Sequence, residues 1–168
     1  FGYASDSRNG NGGGERNIHG ANAYIVKKIM ALGMQQDIQF MQFTGDLVTG
    51  YLTSTAQMDL QYANWKNTIA PFASYIPVIA TMGNHESMKR MFIEGNLKFE
   101  VDRFPYETES AEAIFARNFV NPRNGPDSED GATYDPKKKK VDFPSYKENV
   151  FYYTYDNVAV VVLNSNYW

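Results

Sequence analysis

The sequence contains no cysteine, which excludes disulfide bonds, thiolate metal sites and cysteine nucleophiles. It contains only two histidines, His19 and His85. No stretch approaches the roughly 20 apolar residues that span a bilayer, so no membrane-spanning segment is predicted. The lack of cysteine fits a cytosolic protein and an exported protein equally well, so the compartment stays open.

An excess of positive charge is also missing. The formal net charge is -3, which argues against a dedicated nucleic-acid-binding protein. The most basic run, Lys137 to Lys140, lies among acidic residues and is interpreted as a solvated loop. With 168 residues, 43% of them hydrophobic, the chain is long and apolar enough for one compact domain with a core.

The first half of the chain alternates between strand and helix patterns. Short apolar runs predict the strands, and apolar residues at helical spacing predict the helices. The predicted order is a strand ending at Ser5, a helix over about 18–32 stopped by Gly33, a strand over 38–43, a helix around 58–69 ending before Pro71, and a strand over 77–82. Crossover helices of this length predict a parallel sheet that is covered on both faces.

The second half has a weaker pattern. Residues 86–119 show short helical patches, of which Ala111 to Phe119 is the clearest. Residues 120–148 hold four of the seven prolines and are interpreted as a long surface insertion. A two-residue connection between 151–155 and 158–163 predicts a β-hairpin. The predicted fold class is therefore α/β, a largely parallel sheet flanked by helices with a C-terminal hairpin.

Polar side chains follow three of the predicted strands directly: Asp6, Asp46 and Asn84. Ligands of open parallel sheets bind at the carboxyl ends of the strands, so the fold would bring these side chains to one edge. Clustered carboxylates are costly without a cation, and oxygen donors suit hard or borderline metal ions. Gly45 and Gly83 precede two of the candidates, where the chain must turn sharply.

The blocks Gly45-Asp46-Leu47-Val48 and Gly83-Asn84-His85-Glu86 resemble the GD and GNHE blocks of calcineurin-like metallophosphoesterases, the group that includes purple acid phosphatases. The spacing of 38 residues from Asp46 to Asn84 suits one helix and one strand between the blocks. The resemblance covers about residues 1–86, and more loosely the hairpin over 151–165. The complete domain of this family is a two-sheet sandwich, of which the chain would supply about half.

The resemblance implies a set of roles for these residues. Asp6 would ligate one metal ion, Asp46 would bridge two, and Asn84 would ligate the second. His85 would stabilise the transition state or protonate the leaving group, while a metal-bound hydroxide attacks the phosphorus of a phosphomonoester or phosphodiester. Arg8 is a candidate for binding the substrate phosphate. Iron, manganese and zinc are not distinguished.

The sequence also departs from the family pattern. Arg8 stands where the first block usually has a histidine, and Thr49 stands at the tyrosine position of purple acid phosphatases. Tyr51 could replace that tyrosine only through a changed turn. The family also takes ligands from a later Gly-His-x-His block, for which the chain has no histidines.

We therefore expect residues 1–168 to be the N-terminal portion of a metallophosphoesterase domain. Metal binding should be weak or absent in this portion, which should be inactive alone. Its hairpin would lack neighbours, so we expect it to associate with the C-terminal half of the domain or with itself.

Other interpretations of the same residues stay open. Asp46 could cap the following helix, and Asp6 could be a turn residue. The chain could be a non-catalytic α/β domain that binds a ligand or partner at the strand-end edge. A nucleotide-binding domain is a third alternative, but the Gly10 to Gly14 stretch lacks the Gly-Lys-Ser/Thr ending and the later glycine that such loops need.

Overall fold

The computed structural model describes residues 1–93, 96–101, 106–140 and 143–166. Its centre is a parallel sheet with the strand order β1-β2-β3. These strands are β1 (Gly2–Ala4), β2 (Met41–Thr44) and β3 (Val78–Thr81), and they are connected by the helices α1 (Ala23–Gln35) and α2 (Thr55–Ala73). The predicted alternation of strand and helix is thus confirmed.

The later elements are β4 (Lys89–Ile93), β5 (Asn96–Val101), α3 (Tyr106–Glu109), α4 (Ala111–Asn118), β6 (Phe151–Tyr155) and β7 (Val158–Val162). The predicted hairpin is present, with Tyr155 opposite Val158. The prediction of short helical patches over 86–119 is wrong at 89–93 and 96–101, where β4 and β5 pair antiparallel. This pairing reaches from Lys89 to Val101, a contact that the periodicity of a short segment cannot reveal.

Several helix boundaries also differ from the prediction. α1 begins at Ala23 rather than near residue 18, because the Asn22 side chain caps it by accepting a 3.2 Å hydrogen bond from the Ile25 N–H. Gly33 does not stop α1, which continues to Gln35. It is buried, and a Cβ there would come within 2.6 Å of Ile38 Cδ1, so this position requires a residue without a side chain. α2 runs through Pro71 to Ala73.

The core lies between the helices and one face of the sheet. Ala4, Met41, Phe43 and Ala80 alternate onto this face and are buried in one cluster with residues of α1, α2 and α4. Trp65 is fully buried and meets the Phe43 ring edge-on at 5.1 Å between centroids. Burying side chains of this size contributes about 1.5–3 kcal/mol each, so this cluster fixes the helices on the sheet.

The opposite face of the sheet contacts the hairpin. Gln42 points to this side, is buried, and accepts a 2.6 Å hydrogen bond from the Tyr153 hydroxyl. Outward-facing Val161 and Leu163 of the hairpin segment remain 67% and 75% exposed. The α/β class, a parallel sheet flanked by helices with a C-terminal hairpin, is confirmed. Within the described ranges, no helix is both long and apolar enough to cross a membrane.

Residues 120–140 and 143–148 contain neither helix nor strand. They are anchored to the sheet by Asn121, whose buried amide donates to the carbonyls of Ala80 at 3.0 Å and Glu148 at 3.1 Å. The interpretation of 120–148 as an insertion stays a prediction, and residues 141 and 142 lie outside the described part of the chain.

Candidate active site

The loops after β2 and β3 pack against each other backbone to backbone. Gly45 has a φ of +86°, and a Cβ at this position would lie 2.3 Å from the Gly83 nitrogen. A side chain is therefore excluded at Gly45, and the two loops can approach closely enough to place their polar residues together. Asp46 follows with a φ of +51°, in the left-handed region. Helix α2 is capped by Ser54, so Asp46 does not serve as its cap.

The Glu86 side chain connects these two loops through hydrogen bonds. Its fully buried carboxylate accepts hydrogen bonds from the backbone N–H groups of Asp46 at 2.9 Å, Leu47 at 2.8 Å, Val48 at 3.3 Å and Gly83 at 2.7 Å. All of the donors lie on the loops that hold Asp46 and Asn84. Glu86 therefore positions the candidate site without facing it, a role that the sequence interpretation did not assign.

The environment of Glu86 shifts its ionisation. Burial raises the pKa of this carboxyl from the ordinary 4.5 to about 7, against the opposing effect of the backbone N–H donors of Gly83 and Val48. The nearby negative charge of Asp46 raises the pKa further. The loop connection therefore contains a group that changes charge near neutral pH.

Arg8 brings Asp6 and Asp46 together. Its Nη1 lies 2.5 Å from Oδ1 of Asp6 and 2.5 Å from Oδ2 of Asp46. A hydrogen bond from the Ser5 hydroxyl, and then the bond from Arg8, lower the pKa of Asp6. The strand-end carboxylates thus meet at one edge of the sheet, as the sequence predicted, around an arginine side chain.

His85 lies on the other side of Asp46. Its backbone N–H donates to Oδ1 of Asp46 at 3.2 Å, and its Nε2 lies 3.9 Å from Oδ2. The ring Nδ1 lies 2.6 Å from the Thr49 carbonyl oxygen, which can only accept a hydrogen bond. This contact assigns the Nδ1 proton and directs Nε2 toward the carboxylate.

Tyr51 contacts the site through a left-handed turn. Gly50 and Tyr51 both have left-handed φ values, +55° and +53°, and the Tyr51 N–H donates to the His85 carbonyl at 3.0 Å. The hydroxyl accepts a hydrogen bond from the Asn84 side-chain amide. The ring lies 4.2 Å from the His85 ring between centroids, so Tyr51 belongs to the Asn84 and His85 side of the site.

Ser7 anchors the segment that carries Asp6 and Arg8. It is buried, its hydroxyl donates to the Leu47 carbonyl at 3.2 Å, and it accepts a 2.8 Å bond from the Trp65 indole. Sequence reasoning missed this residue. The available signal was a small polar residue between two candidate site residues, which also fits an exposed turn.

A cavity of about 660 Å³ opens beside the strand-end residues. Its walls include Asp6, Asp46 and Asn84 at one end and Tyr153 and Val160 of the hairpin at the other. Charged and amide oxygen donors thus face a space that is otherwise partly apolar. Such a space can admit a ligand to the strand ends.

The residues present do not by themselves fit a two-metal centre. Asp6, Asp46 and Asn84 offer two carboxylates and one amide, and Arg8 already binds both carboxylates. In the described ranges, no group of three or more His, Cys, Asp or Glu residues could hold a metal ion. Ions of this type take about four to six ligands each, so further donors would be needed.

Comparison with protein families supplies the remaining observation. The family model described as calcineurin-like phosphoesterase matches residues 18–158. The chain belongs to this family. The matched region contains the loops of Asp46 and Asn84 and reaches the hairpin, well past residue 86, whereas Asp6 and Arg8 precede it. No curated protein and no solved structure matched the chain.

Proposed function

We propose that the protein hydrolyses phosphomonoesters or phosphodiesters, as a metal-dependent phosphoesterase of this family. The main support is the joining of the loops after β2 and β3, which puts Asp46, Asn84 and His85 at one edge of the sheet. This arrangement occurs within the region that matches the calcineurin-like phosphoesterase family. The closer likeness to purple acid phosphatases belongs to this proposal.

His85 and Arg8 are the proposed catalytic side chains. Because the Nδ1 proton of His85 is held by the Thr49 carbonyl, Nε2 is the nitrogen that would transfer a proton to the leaving-group oxygen when the ring is in its doubly protonated, imidazolium form. Arg8 carries a permanent positive charge and five N–H donors, which suit a phosphate group. The cavity beside Asp46 would admit the ester.

Asp6, Asp46 and Asn84 are the proposed metal-facing residues, for two ions that could be iron, manganese or zinc. Such ions would supply an activated water and stabilise negative charge on the phosphoryl group. The remaining donors would come from outside residues 1–168, from a C-terminal half of the domain. On this proposal, residues 1–168 alone bind metal weakly and do not turn over substrate.

The test compares residues 1–168 with the longer protein to which we propose they belong. Both are assayed with p-nitrophenyl phosphate and bis-p-nitrophenyl phosphate in the presence of manganese, iron or zinc. We expect hydrolysis by the longer protein only, and its loss by a factor of at least about 100 in Asp46→Asn. Asp59→Asn is the matched control, since Asp59 pairs with Arg117 away from the site. Full activity in Asp46→Asn would contradict the proposal.

A second candidate function is non-catalytic binding of a phosphate-containing ligand. The observation that favours it is the pairing of Arg8 with both Asp6 and Asp46, which occupies the carboxylates that a metal-activated nucleophile would need. It predicts that the longer protein binds inorganic phosphate in calorimetry but hydrolyses neither aryl ester with any of the metals.

A further inference from the structure

One nitrogen of Arg8 stands between two carboxylates from separate strand ends. The contacts of Nη1 with Asp6 and Asp46 are equally short, 2.5 Å each. Asp46 is largely covered, with 12% of its side chain exposed, whereas the Asp6 side chain is 62% exposed. The guanidinium group thus bridges an outer and an inner carboxylate.

We propose that Arg8 is the built-in counter-ion of the Asp6 and Asp46 pair, and that it and a metal ion exclude each other there. The proposal rests on the proposed function only in treating these carboxylates as metal-facing. Zinc binds carboxylate oxygens at about 2.0–2.2 Å, so an ion using both oxygens would occupy the place of Nη1. Adjacent positive charges would also repel each other strongly in this partly covered site.

The backbone holds Arg8 at this position. Arg8 forms an antiparallel bridge with Ala21, just before α1, and the preceding Ser7 is buried under the loop after β2. The guanidinium group keeps its proton at any ordinary pH, so loss of its charge cannot release the carboxylates. A metal ion must therefore displace the side chain, and the cost of doing so weakens the observed metal affinity.

The test measures metal binding to residues 1–168 by calorimetry with manganese and with zinc. We expect Arg8→Ala to bind either ion about tenfold or more tightly than the unchanged chain, because the competing charge is gone. Arg8→Lys should stay close to the unchanged chain. The matched control is Arg117→Ala, which breaks a 2.5 Å ion pair with Asp59 away from the site and should leave metal affinity unchanged.

A second measurement covers the case in which Arg8→Ala folds poorly. Arg8→Gln keeps most of the side-chain volume without the charge, and its melting temperature is followed with and without manganese. We expect a lower melting temperature than the unchanged chain without metal and a larger increase on adding it. The combined variant Arg8→Gln with Asp46→Asn should lose that increase.

Equal or weaker metal binding in both uncharged Arg8 variants would overturn the proposal. So would a gain of the same size in Arg117→Ala, which would show a general effect of net charge. These readouts do not depend on hydrolysis. The proposed phosphoesterase function could therefore fail while the competition between Arg8 and metal is observed, and the reverse is equally possible.

Discussion

The carboxylate of Glu86 accepts a 2.9 Å hydrogen bond from the backbone N–H of Asp46, across 40 residues of sequence. The same carboxylate holds Gly83 at 2.7 Å, so one buried side chain sets the spacing of the two loops that carry the candidate site. The candidate site is thus held in place by a buried residue, since Glu86 does not line the cavity beside Asp46.

We expect Glu86→Gln to destabilise the protein by about 2–4 kcal/mol. In the unchanged chain, each oxygen of the Glu86 carboxylate accepts hydrogen bonds from two backbone N–H groups. In the variant, the glutamine NH₂ group would face two of these N–H donors and could not accept from them. Urea unfolding followed by circular dichroism measures the loss. Glu15→Gln, at an exposed surface pair with Lys27, should change stability by less than about 0.5 kcal/mol. Similar small effects of both variants would refute the positioning role.

The raised pKa of Glu86 predicts a specific pH dependence of stability. The folded state binds the proton more tightly than the unfolded state, with pKa values of about 7 and 4.5. The stabilisation is therefore complete below pH 4.5 and is lost as the pH rises through 7. Its full size is on the order of 3 kcal/mol.

The measurement is the free energy of unfolding between pH 4.5 and 8, for the unchanged chain and for Glu86→Gln. The advantage of the unchanged chain should shrink as the pH rises, because the variant has no proton to lose at this position. An advantage that stays constant or grows with pH would contradict the predicted shift.

Gly50 should not tolerate a side chain. Its φ is +55°, and a Cβ there would lie 1.6 Å from the His85 carbonyl oxygen. We expect Gly50→Ala to cost about 2 kcal/mol or more, because the turn that delivers Tyr51 must shift. Gly13→Ala is the control, since a Cβ at Gly13 meets no atom within 4 Å. Thermal unfolding should separate the two variants clearly, and equal melting temperatures would count against this close contact.

Ser7 should matter more than an ordinary turn serine. Ser7→Ala leaves the buried Trp65 indole N–H without its 2.8 Å acceptor, which we expect to cost about 1–3 kcal/mol. The indole emission should change as well, because its hydrogen-bond partner is lost. Ser74→Ala, at the exposed end of α2, is the control and should leave both properties nearly unchanged. An unchanged stability of Ser7→Ala would show that the bond contributes little.

Much of the fold followed from local features of the sequence. Apolar spacing predicted α1 and α2, and the two-residue connection at Asp156 and Asn157 predicted the β6–β7 hairpin. The convergence of Asp6 and Asp46 also followed, because parallel strands end at a common edge. These inferences succeed because helix periodicity, strand alternation and tight turns depend on neighbours within a few residues.

Two predictions were wrong where a contact outside a segment overrides the preference of the segment itself. Glycine often ends a helix. In α1, however, Gly33 lies against Ile38, where only a small residue fits. The β4–β5 pair was missed because its stability comes from the partner strand. In both cases the deciding contact lies outside the segment in which the pattern was measured.

The sequence by itself determined the succession of strands and helices along the chain that carries the candidate site, its loop motifs and the shortage of histidines. Tertiary structure alone decided the contacts among those residues: Glu86 binding both loops, Tyr51 turning onto His85, and Arg8 standing between Asp6 and Asp46. The physical reason is that such contacts depend on direction as well as on distance. Hydrogen bonds and ion pairs form only within about 3–4 Å and at suitable angles, and packing of the whole domain sets such geometry between residues far apart in the chain.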